Sequence, residues 1–586
     1  MAQSRESAIA QKGVRLSEAL KGEGLTPELG PQDRLRVVDT LVPLIEGVYC
    51  HLPQKRAGYA ADPVQALRLL RQRCVEMTDG EFHLAVTGIM TGLRDAHTRY
   101  VGPSGLRGKV ALLPFLVESY GPQDAPRFIV SKLAGTANTP AMKKLGFAQG
   151  VELVSWNYVP MARAVDVYAF QETGGRRDAR RARALESLTF RSLDYGPPPD
   201  ELKVTIGFRV GRSLREVTMP WRVVDITAAR LGKNPQSALR AAWNPSAESV
   251  RKARTLMFAP ETWDANRLKT STGRSSRAKV VHGRSSPGNG VRGSARDTAT
   301  GKPAAVAIGQ DLETSFLEVL SARRVSATFH EGLRARRAEV GYLRVWSFDV
   351  HDHEAFVTEV DRLLKLLPQD RLIVDLRGNP GGLIWAAERL LQLFTDREIQ
   401  PTRFSLLATP VTRAMAESEF NHLELDDWLN SLTDAVSTGE VYSKPVALTD
   451  PSWCRDIGRT YPGTAALVVD PNTYSSGDLF AAGWADHDIG PLISIGEATG
   501  AGGANVWGDL QLNDALASTP YAFDPLPGGV QFTMAIRRAI RSGVSDGIPI
   551  EDLGIRGIPY APTRRDLLEG NKDLYNFCAQ TLHDTS

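Results

Sequence analysis

The apolar residues of the first 108 positions recur with helical spacing. Similar stretches at 64–74 and 82–93 follow a first apolar stripe, which consists of Leu35, Val38, Leu41, Val42 and Ile45. Such spacing places the apolar side chains on one face of each helix. The pattern therefore predicts an N-terminal region that is built mainly from packed amphipathic helices.

From about residue 109 to 232 the pattern changes to short runs of strand character. Strands are predicted at 126–133, 150–156, 201–210 and 215–223. A short helix is predicted from Thr139 to Gly146, because a proline stands near its start and a glycine at its end. This order is similar to a PDZ-like module, in which an open sheet edge takes up an extended peptide. A plain small β-domain is the alternative.

Strands alternate with helices from about residue 340 onwards. Apolar runs predict buried strands at 340–346, 371–376 and 465–469, and an amphipathic helix is predicted at 354–367. Alternation of this kind favours an α/β core with mainly parallel strand pairing. Loops that carry chemistry would then gather at the carboxyl ends of the strands.

The segment between these two regions has a different composition. Residues 267–306 are rich in Gly, Ser, Thr and Arg and contain no aromatic residue. Because such a composition cannot form a core, it predicts a disordered basic insertion. The segment also lacks the interleaved aromatic side chains that stack on nucleic-acid bases. Its position before the α/β core suggests a role in controlling access to that core.

Overall composition narrows the classes of function. The chain has 586 residues, and its 70 Lys+Arg against 67 Asp+Glu leave a formal charge of only +3, which argues against nucleic-acid or anionic-membrane partners. No segment resembles a signal peptide or a run of ~20 apolar residues, so we expect a cytoplasmic protein. The cysteines have no metal or disulfide spacing and are expected to be free thiols: Cys50, Cys74, Cys454 and Cys578.

The stretch from 465 to 506 contains the first candidate for chemistry. Turn formers at Asp470-Pro471-Asn472 end its strand, and a helix is predicted to start near Ser475. The hydroxyl of Ser475 would lie among unpaired backbone N–H groups, which stabilise the negative charge that develops in acyl transfer. Ser475 is thus a candidate nucleophile. An N-cap serine on an ordinary helix is the alternative.

Two other segments supply candidate partners for this serine. The loop from Arg377 to Gly382 follows a strand, and its glycines allow a close backbone N–H to donate to an oxyanion. No GK[ST] follows the loop, so nucleotide binding is not expected.

His97 stands just past a predicted helix, where it is either a catalytic base or a cap that compensates the helix dipole.

Four blocks of sequence together resemble a known family. They are LRDAHTRYVGP, LIVDLRGNPGG, NTYSSGDLFAAGWAD, and ISIGEATGAGG followed by IPIEDLGIRGIPY. The resemblance is to the tail-specific, or C-terminal processing, serine proteases, within them the tricorn and chlamydial protease-like branch. It implies a crotonase/ClpP-like α/β protease core with an N-terminal helical region and a PDZ-like β-rich domain. The expected boundaries are 1–108, 109–232, 233–310 for a linker with the insertion, and 311–586.

The resemblance assigns roles to individual residues of the core. It implies that Ser475 is the nucleophile and that the oxyanion donors are the N–H groups of Ser476 and of Gly381 or Gly382. Many family members carry a lysine base in the loop that here reads Gly496 to Gly503, but Gly502 occupies the lysine's place. A serine/lysine mechanism is therefore not expected.

The tricorn-like branch uses serine, histidine and glutamate instead. Carried over, His97 is the general base and Glu551 the carboxylate that orients it. This assignment is chemically coherent, because a serine hydroxyl needs a base and a carboxylate on the far ring nitrogen stabilises the imidazolium. Asp552 or Glu497 are alternative orienting carboxylates, and Glu551 is alternatively a cap for the turn before Gly554.

The predicted function is that of a serine endopeptidase acting on unfolded or extended polypeptides. No cofactor or metal is expected, since the runs 351–353 and 486–488 lack a third ligand at suitable spacing, and Asp486 is interpreted as structural. Polypeptide is the expected partner, without nucleic acid or membrane, and a homo-oligomer is left open. One alternative is a non-catalytic ligand- or peptide-binding protein on the same fold, as in retinoid-binding relatives. Another is a different acyl hydrolase.

Overall fold

The computed structural model describes residues 13–22, 29–103, 105–137, 139–227, 241–243, 245–259, 307–418 and 425–585. The insertion predicted at 267–306 lies outside these ranges. Within them, no helix has both the length and the apolar character needed to cross a membrane. All four cysteines are free and buried, as predicted.

The N-terminal region consists mainly of helices, as its apolar spacing predicts. The elements are β1 (Val14–Arg15), α1 (Leu16–Gly22), α2 (Pro31–Gly47), α3 (Leu52–Tyr59), α4 (Pro63–Arg71), α5 (Asp79–Gly92) and β2 (Arg99–Val101). Helix α5 begins at the N-cap Thr78, whose side chain accepts from the N–H of Glu81, and the Glu81 carboxylate accepts from the Thr78 N–H in return. The apolar faces of α2, α4 and α5 contribute to the main core of the protein.

The following β-rich region forms two sheets. Its elements are β3 (Lys109–Leu112), β4 (Phe115–Tyr120), β5 (Arg127–Leu133), α6 (Pro140–Leu145), β6 (Glu152–Trp156), β7 (Val159–Pro160), α7 (Met161–Ala169), α8 (Arg177–Ser187), β8 (Phe190–Ser192), β9 (Lys203–Val210), β10 (Ser213–Pro220) and β11 (Arg222–Asp225). One sheet has the order β10-β9-β6-β5-β4 and the other β1-β11-β3-β8. Strand β4 is therefore an edge strand.

The strand predicted at 215–223 is two strands in the structure. Strand β10 ends at Pro220, and β11 pairs with β1 and β3 in the other sheet. Proline has no N–H to donate to a ladder, so the chain leaves the first sheet at this residue. The predicted helix at Thr139–Gly146 is confirmed as α6, and Gly146 caps it with a left-handed backbone.

A short connecting segment joins the β-rich region to the core. It contains β12 (Ala241–Trp243) and α9 (Pro245–Phe258). Helix α9 packs against β8 and β3 of the β-rich region. The backbone of β12 instead pairs with the core, which places it close to the predicted oxyanion loop.

The core is an α/β arrangement, as the alternating pattern predicts. Its strands are β13 (Leu320–Glu331), β14 (Arg334–Val345), β15 (Arg371–Asp375), β16 (Gly381–Leu383), β17 (Arg403–Leu406), β18 (Val446–Ala447), β19 (Thr464–Val469), β20 (Leu492–Ile495), β21 (Ala504–Gly508), β22 (Gln531–Ile540) and β23 (Ile558–Tyr560). The main sheet has the order β13-β14-β15-β19-β20-β23. Strands β14 to β23 of this sheet pair in parallel, and β13 pairs with β14 antiparallel.

Helices cover the core strands. They are α10 (His353–Leu364), α11 (Ile384–Leu390), α12 (Pro410–Glu417), α13 (Asp426–Thr438), α14 (Ser476–Asp486), α15 (Asp509–Leu516), α16 (Arg564–Glu569) and α17 (Lys572–Asp584). The helix after the glycine loop, α11, is short and passes into a 3-10 turn at Leu391–Phe394. Helix α14 is buried almost throughout, so its apolar residues fix it firmly against the core.

A second sheet connects the N-terminal region to the α/β core. Its order is β18-β17-β22-β2, and β21 also pairs with β22. Strand β2 follows His97 directly and pairs with β22 through Arg99, Tyr100 and Val101. This pairing carries a residue from the N-terminal region into the middle of the core.

Candidate active site

Ser475 occupies a sharp turn between β19 and α14. Its backbone has φ 64° and ψ −120°, a conformation that is unfavourable for a residue with a side chain. The N–H of Ser475 donates to Oδ2 of Asp478 at 2.6 Å, which stabilises the turn. A strained strand-to-helix turn of this kind presents a serine hydroxyl away from the sheet, as in other serine hydrolases.

His97 meets this serine from the opposite end of the sequence. Its Nε2 lies 2.7 Å from Oγ of Ser475, although the two residues are 378 positions apart, and both side chains are fully buried. The pairing of β2 with β22 holds His97 in place, and its carbonyl accepts from Oγ1 of Thr533 at 2.7 Å. The predicted nucleophile and base are therefore within hydrogen-bond distance.

The burial of His97 sets its protonation. The pKa of His97 is lowered to about 4, chiefly by burial; the charge of Asp95 opposes this shift, and the charges of Arg99 and Lys55 add to it. The imidazole is consequently neutral at neutral pH. Only the neutral ring has a nitrogen that can accept a proton, so His97 is in the state that a general base requires.

Tyr474 packs against both His97 and the loop at 496–503. Its ring lies 5.2 Å from the His97 ring between centroids. A Cβ on Gly502 would stand 1.9 Å from Cε1 of Tyr474, and one on Gly500 would stand 2.1 Å from Cδ2. No side chain fits at Gly502 while the tyrosine ring is present, which is a steric reason for the glycine predicted to replace the lysine.

Asp478 joins the serine turn to this glycine-rich loop. Besides the N–H of Ser475, its carboxylate accepts from the N–H groups of Ala501 at 3.1 Å and Gly502 at 2.9 Å. Burial raises the pKa of Asp478 to about 6, and its hydrogen bonds to Thr499 and to these backbone groups oppose the rise. The acidic residue of the serine motif thus has an architectural role within the turn.

The predicted oxyanion loop lies against the start of α14. Oγ of Ser476 donates to the carbonyl of Gly382 at 2.8 Å, which ties the two segments together. The N–H of Gly381 donates to Oδ1 of Asn379 at 2.8 Å. A Cβ on Gly382, whose φ is 146°, would stand 2.0 Å from the backbone of Phe348. Close approach of backbone therefore requires glycine at this position.

Glu551 is buried near His97 but bonds to other groups. Its Oε1 lies 2.6 Å from Nζ of Lys55, and its Oε2 accepts from the N–H of Gly503 at 3.3 Å. Among the residues that the structure describes, Nδ1 of His97 has no hydrogen-bond partner. The direct contact expected between Glu551 and this nitrogen is thus not formed, because the ammonium of Lys55 binds the carboxylate.

The two alternative carboxylates are also occupied elsewhere. Asp552 accepts from Lys55, Gln54 and Tyr59, and its backbone has a left-handed φ of 67°. Glu497 is largely exposed and pairs with Arg176 at 3.2 Å. No contact between either carboxylate and His97 is found among the described residues.

Three buried residues around His97 were missed by the sequence reasoning. They are His51, Lys55 and Asp95. Oδ1 of Asp95 lies 3.9 Å from Nδ1 of His97. A signal for Asp95 was present, because an aspartate two residues before the histidine is suited to accept from a backbone N–H in an Asx turn. Lys55 lies in α3, and His51 lies directly before it. Nothing in the sequence spacing of these two residues indicates that they approach His97.

Asp352 and Asp486, from the two runs of acidic residues and histidines, make contacts within the protein. Asp352 accepts from the N–H groups of Glu354 and Ala355 at the start of α10, and Asp486 pairs with Arg541. Among the described residues, donor atoms of His51, Asp95 and Glu551 lie within 4.8 Å of one another. The ammonium of Lys55 beside Glu551 disfavours a further cation there.

Part of the core matches a known protein family. Residues 339–530 match the model of Peptidase family S41, a segment that includes the glycine loop and Ser475. A comparison with curated protein sequences gave no match. The crystal structure of mature CPAF is 16% identical, with a TM-score of 0.63, over 94% of this chain and 98% of its own. Mature CPAF complexed with lactacystin is likewise 16% identical, with a TM-score of 0.62, over 94% of this chain and 99% of its own.

At 16% identity these structures show a shared fold over almost the whole chain. The family match covers the strand, glycine loop and serine turn of the core. Residues 339–530 therefore match peptidase family S41, and this match supports a serine-type peptidase.

Proposed function

We propose that the protein is a serine endopeptidase that cleaves unfolded or extended polypeptides through an acyl-enzyme at Ser475. The observation that carries this proposal is the 2.7 Å distance between Oγ of Ser475 and Nε2 of His97. A nucleophile within hydrogen-bond reach of a base is what acyl transfer requires. The same contact supports an enzyme over a non-catalytic peptide-binding protein on this fold.

The reaction proceeds in two steps. In the first, His97 takes the proton of Ser475 as Oγ attacks the scissile carbonyl, and the imidazolium then gives that proton to the leaving amine as the C–N bond breaks. In the second, His97 removes a proton from water as the water oxygen attacks the ester carbon, and the imidazolium returns that proton to Oγ of Ser475 as the C–O bond breaks. The N–H groups of Ser476 and Gly382 are the proposed donors to the oxyanion. Gly381 joins them only if its N–H leaves Asn379.

Glu551 is the proposed carboxylate of this site. It is fully buried in the same polar cluster as His97 and lies on the C-terminal turn that closes it. Because its oxygens bond to Lys55 and Gly503, its influence on His97 is electrostatic. Its removal is therefore expected to affect catalysis less than removal of His97.

An extended segment of the chain supports the proposed substrate class. The backbone of β12 pairs antiparallel with the glycine loop, with Trp243 opposite Gly381 and Ala241 opposite Leu383. A polypeptide in extended conformation thus fits beside the proposed oxyanion donors by strand addition. In this arrangement Ser475 is fully buried, so β12 must yield for a substrate to bind in the same way.

A cleft between the β-rich region and the core is the proposed route for the polypeptide. It has a volume of about 1720 Å³ and is bordered by β4, α8 and α9 on one side. Its other wall includes Gly378 and Asn472, which lie in the glycine loop and the nucleophile turn. The free edge of β4 is suited to pair with an extended peptide, as in the PDZ-like module expected here.

Labelling with a fluorophosphonate tests the nucleophile. Wild-type protein is expected to form a covalent adduct at Ser475, and Ser475→Ala is expected not to. If both label equally, or neither labels, the assignment of Ser475 is wrong. Cleavage of an unfolded polypeptide, compared with the same polypeptide held folded by its disulfides, tests the substrate class. Equal cleavage of both forms would contradict it.

The base is tested by His97→Ala. This variant is expected to lose cleavage of unfolded polypeptide by several orders of magnitude, because the serine loses its proton acceptor. Circular dichroism and the unfolding midpoint check that the fold is retained. Turnover close to the wild-type rate in a folded variant would assign the base to another residue.

A further inference from the structure

The carboxylate of Asp95 is bound to the turn that presents His97. Its Oδ1 accepts from the backbone N–H of His97 at 2.7 Å, and its Oδ2 accepts from Oγ1 of Thr98 at 2.9 Å. Oγ1 of Thr98 in turn accepts from the N–H of Ala535 in β22. Asp95 thereby fastens the histidine turn to the same strand that positions β2.

The same carboxylate lies beside the ring nitrogen that faces away from Ser475. Oδ1 of Asp95 is 3.9 Å from Nδ1 of His97, and both side chains have no exposed surface. At that distance a buried negative charge strongly stabilises an imidazolium, because water does not screen the pair. Asp95 is therefore placed to act on His97 both through the backbone and through its charge.

Asp95 and Glu551 differ in the direction in which their surroundings shift the pKa of the carboxyl group. Burial raises the pKa of Asp95, but the neighbouring His51, His97 and Lys55 outweigh it and hold the pKa at about 2. Burial raises the pKa of Glu551 well above its usual range, and the nearby Asp95 adds to the rise. Asp95 thus keeps its charge at neutral pH, whereas its surroundings oppose the ionisation of Glu551.

We propose that Asp95 is a positioning residue for the peptidase reaction, which fixes the backbone of His97 and supplies the negative charge that stabilises its imidazolium. The inference rests on the proposed function, with Ser475 as nucleophile and His97 as base. Glu551, which Lys55 binds directly, then supplies less of the charge that acts on His97.

Several charged or titratable groups face His97 from the surrounding elements. They are Asp95 and Arg99 on its own segment, His51 and Lys55 in and beside α3, Ser475 and Tyr474 on the nucleophile turn, and Glu551 on the C-terminal turn. Arg99 and Lys55 lower the pKa of His97, and Asp95 raises it. Removal of the Asp95 charge is thus expected to lower the pKa of His97.

The decisive measurement is the pH profile of kcat/KM for Asp95→Asn beside Glu551→Gln. Because the base must be neutral, kcat/KM falls on the acidic side of the profile as His97 becomes protonated. A lower pKa of His97 moves this acidic limb of the profile to lower pH. We expect Asp95→Asn to move that limb down by about one pH unit or more and to reduce the plateau about 10- to 100-fold. In Glu551→Gln the limb is expected to stay within about 0.3 of a pH unit of wild type.

Thr98→Ala is the matched control for a merely structural role. It removes the hydrogen bond to Oδ2 of Asp95 and retains the carboxylate charge. If Thr98→Ala moves the limb as far as Asp95→Asn does, or if Asp95→Asn leaves it in place, the proposal is overturned. A shift in Glu551→Gln as large as that expected for Asp95→Asn would assign the role to Glu551 instead, and this arm remains decisive if Asp95→Asn does not fold.

Fluorophosphonate labelling separates this inference from the function on which it rests. If wild-type protein does not label at Ser475, both the proposed function and the proposed role of Asp95 are wrong. If wild-type protein labels and the limb of Asp95→Asn is unmoved, only the role of Asp95 is wrong. We expect labelling of Asp95→Asn at Ser475 to persist at a rate reduced about as much as kcat/KM.

Discussion

The two halves of the proposed active site are built in different ways. The serine half consists of Ser475, Asp478 and the loop at 499–503, and short-range backbone geometry holds it together. The histidine half consists of Asp95, His97, Lys55 and Glu551, which come from segments up to 496 residues apart. Buried charges hold this second half together. The first half is a strained backbone turn and the second is an electrostatic cluster.

The two halves are expected to be sensitive to different kinds of substitution. Changes of shape or backbone conformation should damage the serine half, since its hydrogen bonds are made largely by N–H groups. Changes of charge should damage the histidine half, since a buried ion pair that loses one partner leaves the other without compensation. Substitutions in each half therefore test this distinction between backbone shape and buried charge.

Lys55→Met should be the most destabilising of these substitutions. The ammonium of Lys55 binds Glu551 at 2.6 Å and Asp552 at 2.7 Å, and its side chain is fully buried. Removal of that charge leaves Glu551 buried without a counter-ion, at a cost of about 3–5 kcal/mol in the free energy of unfolding. Denaturant unfolding at pH 8 measures the loss.

The pH dependence of this loss follows from the sign of the shift. Without Lys55 the pKa of Glu551 rises further above its unfolded value, so the penalty is largest at alkaline pH and disappears at pH values below the unfolded pKa of ~4.3. Adding Glu551→Gln to Lys55→Met should restore part of the stability at pH 8. Equal midpoints for Lys55→Met and wild type would show that charge does not hold this half together.

Much of the serine half could be predicted from sequence. The apolar strand before Asp470, the turn and the helix from Ser476 lie within one short stretch, and local pattern determines each of them. The same holds for the glycine loop after Asp375. The steric role of Tyr474 against Gly502 could not be predicted, because it depends on how a distant loop folds over the turn.

The histidine half could be predicted only in part. His97 and Glu551 were indicated by resemblance to the family, but the contacts of Glu551 with Lys55 and Gly503 require the packing of α3 against the C-terminal turn. Lys55 belongs to a helix with an ordinary solvated composition, so its burial has no signal in sequence. Charge clusters assembled from distant segments depend on tertiary structure, which local patterns do not encode.

Gly502→Ala should damage the serine half by steric conflict. The added Cβ would stand 1.9 Å from the ring of Tyr474, which is packed between the loop at 499–503 and His97. Overpacking of this kind typically costs about 1–3 kcal/mol, and displacement of the ring should also lower the rate of peptide cleavage. Thermal or denaturant unfolding together with a peptidase assay measures both effects.

Two further variants show whether the conflict is with Tyr474. Gly88→Ala in α5 meets no atom within 4 Å, so this control should be stabilised by about 0.5–1 kcal/mol rather than destabilised. In a double-mutant cycle, Tyr474→Ala should remove most of the cost of Gly502→Ala. Purely additive effects would place the conflict elsewhere in the loop.

The smallest effect concerns the strained backbone of Ser475. Both Ser475→Ala and Ser475→Gly abolish the nucleophile, but only glycine adopts φ 64° and ψ −120° without strain. Relief of about 1–3 kcal/mol of strain exceeds the 0.4–1 kcal/mol that glycine loses through the unfolded chain. Ser475→Gly should therefore be more stable than Ser475→Ala by about 1 kcal/mol, measured as a higher denaturant midpoint at equal slope.

The same pair of substitutions in the histidine half should give the opposite order. His97 is not among the described residues with a positive φ, so glycine relieves no strain there. His97→Gly is thus expected to be less stable than His97→Ala by about 0.4–1 kcal/mol, because the unfolded chain gains freedom. If glycine is favoured over alanine at both positions, or at neither, backbone strain does not distinguish the serine half. A reversal of sign between the positions would show that strain is stored at Ser475 and not at His97.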